Sequence, residues 1–310
     1  MANQPGAWAV VVNPTKFDDL SAVEAKVDQA CRDHGWPEPR WYETTHDDPG
    51  TGQATRAIAD GAGLVCPLGG DGTVRAVAAG LLDAGVPMGL LPGGTGNLLA
   101  RNLKLPIDDL DAALTTALTG QDHPVDVGLV SFDGDEPVAF LVMAGMGLDA
   151  DAVGGASTAM KKRFGWVAYA VSGARALVKV GFSVRVDAGA AHALSQHAAT
   201  VLVGNCGELT GGLRLMPEAK VDDGLLDAVL VSPRSISAWL AVGLYILTLH
   251  RRGHTALVRL TGPQITAVTR KPILAQLDGD VVGPRSRLSC SVRPGALLVR
   301  LPGGQAATRG

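Results

Sequence analysis

The sequence predicts an α/β chain: an N-terminal doubly wound parallel sheet followed by a mostly antiparallel β-sandwich. Three observations carry this. Short apolar runs alternate with helix-compatible runs from Trp8 to Leu118, the pattern of successive βα units. Two glycine-rich turns, Pro67-Leu68-Gly69-Gly70-Asp71-Gly72-Thr73 and Pro92-Gly93-Gly94-Thr95-Gly96-Asn97, stand about one βα unit apart. Beyond Asp126 the texture changes to closely spaced β-rich segments separated by turn signals.

The first half reads element by element. Trp8–Val12 is a continuous apolar run, as expected of a parallel strand buried on both faces. Asp18 and Asp19 are candidate caps for a helix reaching His34, where Gly35 and Pro37 stop it. Arg40–Thr44 is the second strand and Thr51–Asp60 a helix. Leu64–Leu68 is the third strand, with its helix over Thr73–Asp83, ended by Gly85 and Pro87. Met88–Leu91 is the fourth strand, and Asn97–Leu103 and Asp108–Leu118 are helical. The domains are expected at 1–124 and 125–310, with the last strand free to return to the first.

In the second half, strands are expected over Val125–Phe132, Val138–Met143, Phe182–Val186, Ala198–Gly204, Leu226–Val231, Ala256–Leu260, Gln264–Arg270, Ile273–Leu277, Arg287–Val292 and Ala296–Leu301. Helices are expected over Lys161–Val178 and Ser235–Arg251. The second of these is apolar nearly all round, as a buried helix or as a wall for acyl chains.

Composition narrows the function classes. The 310 residues are 46% hydrophobic and 18% charged, enough for a large core. A net charge of −3 argues against a general nucleic-acid binder. Cys31, Cys66, Cys206 and Cys290 are far apart among apolar or small residues, which reads as buried thiols. Met1–Gly6 is polar and the first apolar run breaks at Asn13, so no signal peptide is expected. The apolar stretch Ala238–Leu249 is too short to span a bilayer. A cytoplasmic protein follows, free to touch the inner face of the membrane.

The glycine turns carry the chemistry. Glycine lets backbone approach a ligand, and N–H groups at a helix N-terminus bind anions. Gly69, Gly70 and Gly72 with Gly94 and Gly96 therefore read as a polyphosphate clamp, with tight structural turns as the alternative. Asp71 beside phosphates implies a cation between them, Mg²⁺ through water. Thr73 and Thr95 can donate hydroxyls to phosphate, and Asn97 either joins them or caps the helix that follows. Asn13-Pro14-Thr15-Lys16 ends the first strand and Thr44 the second, at the sheet edge where such folds bind ligands. Later, Asp278 and Asp280 flank Gly279 after an apolar strand, as a β-turn or as a general base for phosphoryl transfer to a hydroxyl.

Taken in order, these motifs resemble the diacylglycerol kinase catalytic-domain family, which includes bacterial diacylglycerol kinases, sphingosine kinases and ceramide kinases. The likeness covers nearly the whole chain. It continues through Gly145-Met146-Gly147-Leu148-Asp149-Ala150, Gly204-Asn205, Gly211-Gly212, Pro217–Asp227 and Gln276-Leu277-Asp278-Gly279-Asp280. The resemblance implies an N-terminal domain like that of NAD kinases and phosphofructokinases. It also implies an ATP- and Mg²⁺-dependent kinase acting on a lipid alcohol at the membrane surface, with diacylglycerol the first substrate expected. Sphingoid bases or ceramide are the alternative substrates, and a non-catalytic lipid- or nucleotide-binding protein of the same fold the alternative role. The later Asn-Glu and Gly-Ser/Thr-x-Ala-Tyr stretches of NAD kinases are absent.

The resemblance also implies roles. Asp280, where the family usually has Glu, is the expected base, with Asp278 supporting it or substituting, and Asp71 a rival as in discussions of sphingosine kinases. Arg101 matches a phosphate-facing arginine. Lys161, in Lys161-Lys162-Arg163, matches a basic segment, with a solvated helix start as the plain alternative. Lys16 departs from the Ser/Thr and Gly usual there. The Lys220 carbonyl, the Asp223 carboxylate and the Leu225 carbonyl match a structural Mg²⁺ site of bacterial members, against an ordinary Asp-Asp-Gly turn. No transmembrane segment and no nucleic-acid partner are implied, and a homodimer is left open.

Overall fold

A computed structural model describes residues 6–147, 181–189, 193–209, 214–233, 235, 238 and 257–303. The first unit opens with β1 (Ala9–Val12), every residue of which is buried. Asn13 begins a single 3₁₀ turn over Pro14–Lys16. Helix α1 (Leu20–His34) is capped by Asp19, whose side chain accepts from the Ala22 N–H, and ends on Gly35 in the left-handed region at φ 69°. Then come β2 (Arg40–Glu43), α2 (Thr51–Ala59), β3 (Val65–Gly69), α3 (Asp71–Leu81), β4 (Leu91–Pro92), α4 (Leu98–Asn102) and α5 (Leu110–Thr119).

The strands pair in parallel in the order β2-β1-β3-β4. On one face Val10, Val12, Cys66 and Leu68 pack with Val27 and Cys31 of α1 and Leu114 and Leu118 of α5. Helices α2 and α3 touch each other and strands of the same sheet. At their crossing a Cβ on Gly80 would lie 2.7 Å from the Thr51 carbonyl oxygen. Helices on both faces make the sheet doubly wound, and all its turns of interest leave from the carboxyl ends of strands.

The second half supplies β5 (Gln121–Phe132), β6 (Val138–Phe140), β7 (Met143–Gly147), β8 (Phe182–Asp187), β9 (Leu194–Ala198), β10 (Thr200–Gly204), β11 (Leu226–Val231), β12 (Leu257–Gly262), β13 (Gln264–Leu277) and β14 (Asp280–Leu301). Pairing follows β12-β11-β10-β7-β13-β14-β5-β6, with β8 and β9 attached beside β13. β13 changes partner along its length: Thr266–Thr269 pairs with β8 and Ala275–Leu277 with β7. The strands enclose Phe132, Phe140, Met146, Val186, Val203, Leu230, Ile265 and Leu288, forming an antiparallel sandwich.

Contacts divide the chain into two units. One runs to Val127 and adds Val221–Asp223 and the chain from Arg293 on; the other is Gly128–Lys220 with Gly224–Val292. In the first, Val299 bridges Met88 in parallel, and the Arg300 N–H donates to the Met88 carbonyl at 2.9 Å.

The structure corrects several expected strands. Val138–Met143 is the whole of one short strand, β6, and the first residue of another, β7, because the chain bends between Phe140 and Met143. Ala198–Gly204 likewise spans two strands, β9 and β10. Gln264–Arg270 and Ile273–Leu277 are one strand with a register shift between Val268 and Ile273, and Arg287–Val292 with Ala296–Leu301 also form one strand. Expectations over Lys161–Val178, and over Ser235–Arg251 except 235 and 238, lie outside the described residues, as do Leu148–Ala150, Gly211-Gly212 and Lys161.

Candidate active site

In the first unit the two glycine turns are stacked backbone on backbone. The Gly93 N–H donates to the Gly69 carbonyl at 3.2 Å. A Cβ on Gly93 would stand 2.8 Å from the Gly69 nitrogen and 2.8 Å from Cζ of Phe17, and one on Gly94 would stand 2.7 Å from Cα of Gly70. Real Cβ atoms do not come that close, so these glycines are required by the contact of the turns as well as by any ligand. Gly69 is further crowded by Thr73, whose Oγ1 would be 2.7 Å from a Cβ there. Thr73 is buried, whereas Thr95 is exposed.

Asp71 joins the two turns. It is the first residue of α3, and its Oδ1 accepts the Leu98 N–H at 2.6 Å, the first N–H of α4. The other oxygen lies against Gly96, where any Cβ would collide with it. Burial pushes the Asp71 carboxyl above its ordinary range; the N–H groups of Leu98, Asn97 and Asp71 and the Arg101 charge pull it partly back. Asn97 occupies the cap position of α4 at φ 48° without capping it. Its side chain instead donates to the Gly94 carbonyl at 2.9 Å, a left-handed residue tying the second turn to itself. The cap expected from Asn97 is thus supplied by Asp71, 27 residues away in sequence.

The remaining first-unit candidates lie at the same sheet edge. Asn13 accepts from the Thr15 N–H at 3.1 Å and the Thr15 hydroxyl at 2.7 Å, holding Pro14–Lys16 in its turn. Lys16 is exposed, with Cε 3.9 Å from where a Cβ on Gly70 would be. The Thr44 N–H donates to the Val12 carbonyl, extending β2 beside β1. Arg101 folds back, its Nε donating to the Gly96 carbonyl at 2.6 Å. Asp71 and Asn97 line a small depression with Val74, Leu91, Pro92 and Ala100. Phe17, an aromatic directly after the first-strand turn that the motifs did not single out, packs against Gly93 beside the candidate site.

In the second unit Asp278 and Gly279 form the two-residue turn between β13 and β14, with φ of 46° and 93°, the pairing that Asp-Gly favours in tight hairpins. The buried Asp278 carboxylate accepts three main-chain N–H groups, from Leu141 at 3.1 Å and from Val142 and Met143 at 2.9 Å each. Its own N–H donates to the Met143 carbonyl. Such a carboxylate is a backbone clamp on the bend between β6 and β7, a task its expected share in proton transfer did not foresee. Gln276 steadies the turn from the other side, its Oε1 accepting the Gly279 N–H at 2.9 Å. Asp280 starts β14 opposite Leu277 and is exposed. One hairpin thus carries a buried carboxylate and an exposed one.

Lys220–Leu225 is a turn ahead of β11, with Gly224 at φ 73°. It contains two carboxylates, Asp222 and Asp223, of the hard oxygen type that Mg²⁺ prefers. Among the described residues, no three or more His, Cys, Asp or Glu side chains are grouped to hold a metal.

Comparison with known proteins adds three findings. Residues 7–130 match the model of the diacylglycerol kinase catalytic domain, and residues 141–301 that of the YegS C-terminal NAD kinase beta sandwich-like domain. A protein of Xanthomonas axonopodis pv. citri (strain 306), named a probable lipid kinase YegS-like, is 30% identical over 96% of this chain and 97% of its own. One of the same name from Pseudomonas aeruginosa (strain UCBPP-PA14) is 30% identical over 82% of this chain and 81% of its own. In fold, the chain is similar to a crystal structure titled a diacylglycerol kinase from Bacillus anthracis str. Sterne, with TM-score 0.73, 21% identity and coverage of 97% and 98%. It is more distantly similar to an NAD kinase from Archaeoglobus fulgidus in complex with ATP, with TM-score 0.50 and 12% identity over 95% and 94%.

Proposed function

The chain belongs to the diacylglycerol kinase catalytic-domain family, among the YegS-like lipid kinases, and on that premise we propose that it transfers the γ-phosphoryl group of ATP to the hydroxyl of diacylglycerol, giving phosphatidic acid. The observation that carries the nucleotide half is the pair of glycine turns held in backbone contact and locked by Asp71. A polyphosphate needs closely approaching, fixed N–H donors, and turns that cannot drift apart supply them without reorganisation. Gly69, Gly70, Gly72, Gly94 and Gly96 line the phosphates. Thr73, Thr95 and Asn97 belong to the same turns, and Asn13, Pro14, Thr15 and Thr44 border them along the sheet edge. Lys16 and Arg101 offset the charge of the transferred group.

Asp71 fits Mg²⁺ through water: one oxygen is committed to Leu98, and a single carboxylate with phosphate oxygens and waters is the ordinary environment of that ion. When bound, the ion neutralises charge developing on the phosphate oxygens.

For the acceptor half, Asp280 accepts the lipid hydroxyl proton and Asp278 positions the hairpin that carries it. The contrast between a buried carboxylate with three N–H donors and an exposed neighbour favours this division. Asp71 is the less suited base because an oxygen is already spent as a helix cap. We place the reaction at the cytoplasmic face of the membrane, where ATP and lipid meet. No helix of the described residues is long and apolar enough to cross a bilayer.

The test is incubation of the purified chain with labelled ATP, Mg²⁺ and a panel of diacylglycerol, monoacylglycerol, sphingosine and ceramide, with the products separated by chromatography. Label in phosphatidic acid supports the reading. Label only in a sphingolipid reassigns the substrate, and ATP binding with label in no lipid points to a binding protein of this fold.

A further inference from the structure

The outer face of β8, β13 and β14 carries a concentration of positive charge outside the candidate site. In register, Val268 of β13 lies between Arg185 of β8 and Arg287 of β14, and residues paired across strands share a face. All three are exposed, Val268 by 39%. Just beyond, at the register shift of β13, stand the exposed Arg270 and Lys271, and Arg285 faces Ile273 across the pair.

None of these five cations is in an ion pair among the described residues. Arg287 only bonds the Ser289 hydroxyl and Arg285 the Pro284 carbonyl. The acids nearby are engaged with main chain: Asp133 accepts from the Ser286 and Arg287 N–H groups, and Asp187 from that of Gly189. In a chain of net charge −3, these five cations, without an ion pair among the described residues, outnumber the two nearby carboxylates of Asp133 and Asp187, a local reversal of sign. Arg185, Arg270, Lys271 and Arg287 are exposed and solvated, and Arg285 is half-buried beside them, so what the group favours is a diffuse anionic plane rather than one pocketed ion.

We propose that this face docks on an anionic lipid bilayer, with Arg185, Arg270, Lys271, Arg285 and Arg287 over the headgroups and Val268 at the interface. The choice of a bilayer over another polyanion rests on the lipid-kinase reading; the binding itself does not require turnover. Each basic residue near an anionic surface raises partitioning about fivefold, so removing three lowers it by ~10²-fold.

The experiment is co-sedimentation of the full chain with phosphatidylcholine vesicles, with and without phosphatidylglycerol, for the parent and the triple variant Arg185→Gln, Arg270→Gln, Lys271→Gln. We expect the parent to bind only the anionic vesicles, to release with added salt, and to lose about two orders of magnitude in the variant. Equal binding of parent and variant, equal binding to both vesicles, or tighter capture by an RNA oligonucleotide through the same three residues overturns the proposal. Should the variant fail to fold, the parent's dependence on phosphatidylglycerol and salt decides alone. The measurement uses no ATP, so a chain that phosphorylates none of the lipids can still pass or fail it.

Discussion

Replacing Asp71 separately with alanine and asparagine distinguishes its two tasks, as a cap and as a charge. Alanine removes the acceptor of the Leu98 N–H at the start of α4. Losing such a cap costs about 1–2 kcal/mol, or roughly 2–8 °C in Tm for a unit of this size. Asparagine keeps an oxygen for Leu98 and removes the buried charge. Because burial raises the folded pKa of Asp71, its ionisation opposes folding. The favourable contribution is full below the unfolded pKa and is lost as pH rises through the higher folded value. The asparagine variant should therefore match the parent in acid and gain on it from about pH 4 upward. Thermal unfolding followed by circular dichroism across pH reads this directly, and lipid phosphorylation is measured alongside. If the Asp71 charge acts on the phosphates as proposed, both variants should lose ~10²-fold or more in turnover, since each removes it. An asparagine variant that melts as early as alanine at neutral pH refutes the cap. One that keeps full turnover refutes the role of the charge.

Other substitutions probe the hairpin, the glycine turns and the buried thiols. Asp278→Ala strands three buried N–H groups and places alanine at φ 46°, so it should cost more than about 3 kcal/mol and show as early melting. Gly94→Ala drives a Cβ into Gly70 and should part the glycine turns, costing about 1–3 kcal/mol and weakening ATP binding in calorimetry. All four cysteines are buried and free, with burial pushing Cys31 up to about 11 and Cys66 up to about 12 and raising Cys206 and Cys290 as well. A thiol reagent near neutral pH should accordingly label none in the native protein and all after denaturation; prompt native labelling would contradict that packing.

The parallel sheet was legible because its strands are buried on both faces and so read as unbroken apolar runs, as in Ala9–Val12. Helix α1 was legible for a local reason, an aspartate at its start and a glycine at its end. The misread strands are those whose identity comes from neighbours. β7 is Met-Ala-Gly-Met-Gly, poor in strand formers, and its Gly145 is there because Leu202 of β10 occupies the space a Cβ would need. β9 is polar because it pairs with β8 alone. Pro272 in β13 and Pro284 and Pro294 in β14 imitate turns, yet β13 shifts register around Pro272 and both strands run on. In the site, the turn residues could be read one by one. What could not be read were contacts across sequence: Asp71 with Leu98, Gly94 with Gly70, and Asp278 with Leu141–Met143. Those contacts show that Asp71 and Asp278 hold main chain together across the sequence.

The proposed reaction is phosphoryl transfer from ATP to diacylglycerol with Asp280 as base. Label transferred from γ-labelled ATP to diacylglycerol, followed in parallel for the parent and Asp280→Asn, tests it most directly. Labelled phosphatidic acid is expected from the parent, and a rate ~10²–10⁴-fold lower from the variant. Equal rates from the two proteins, or no labelled lipid from the parent, would contradict it.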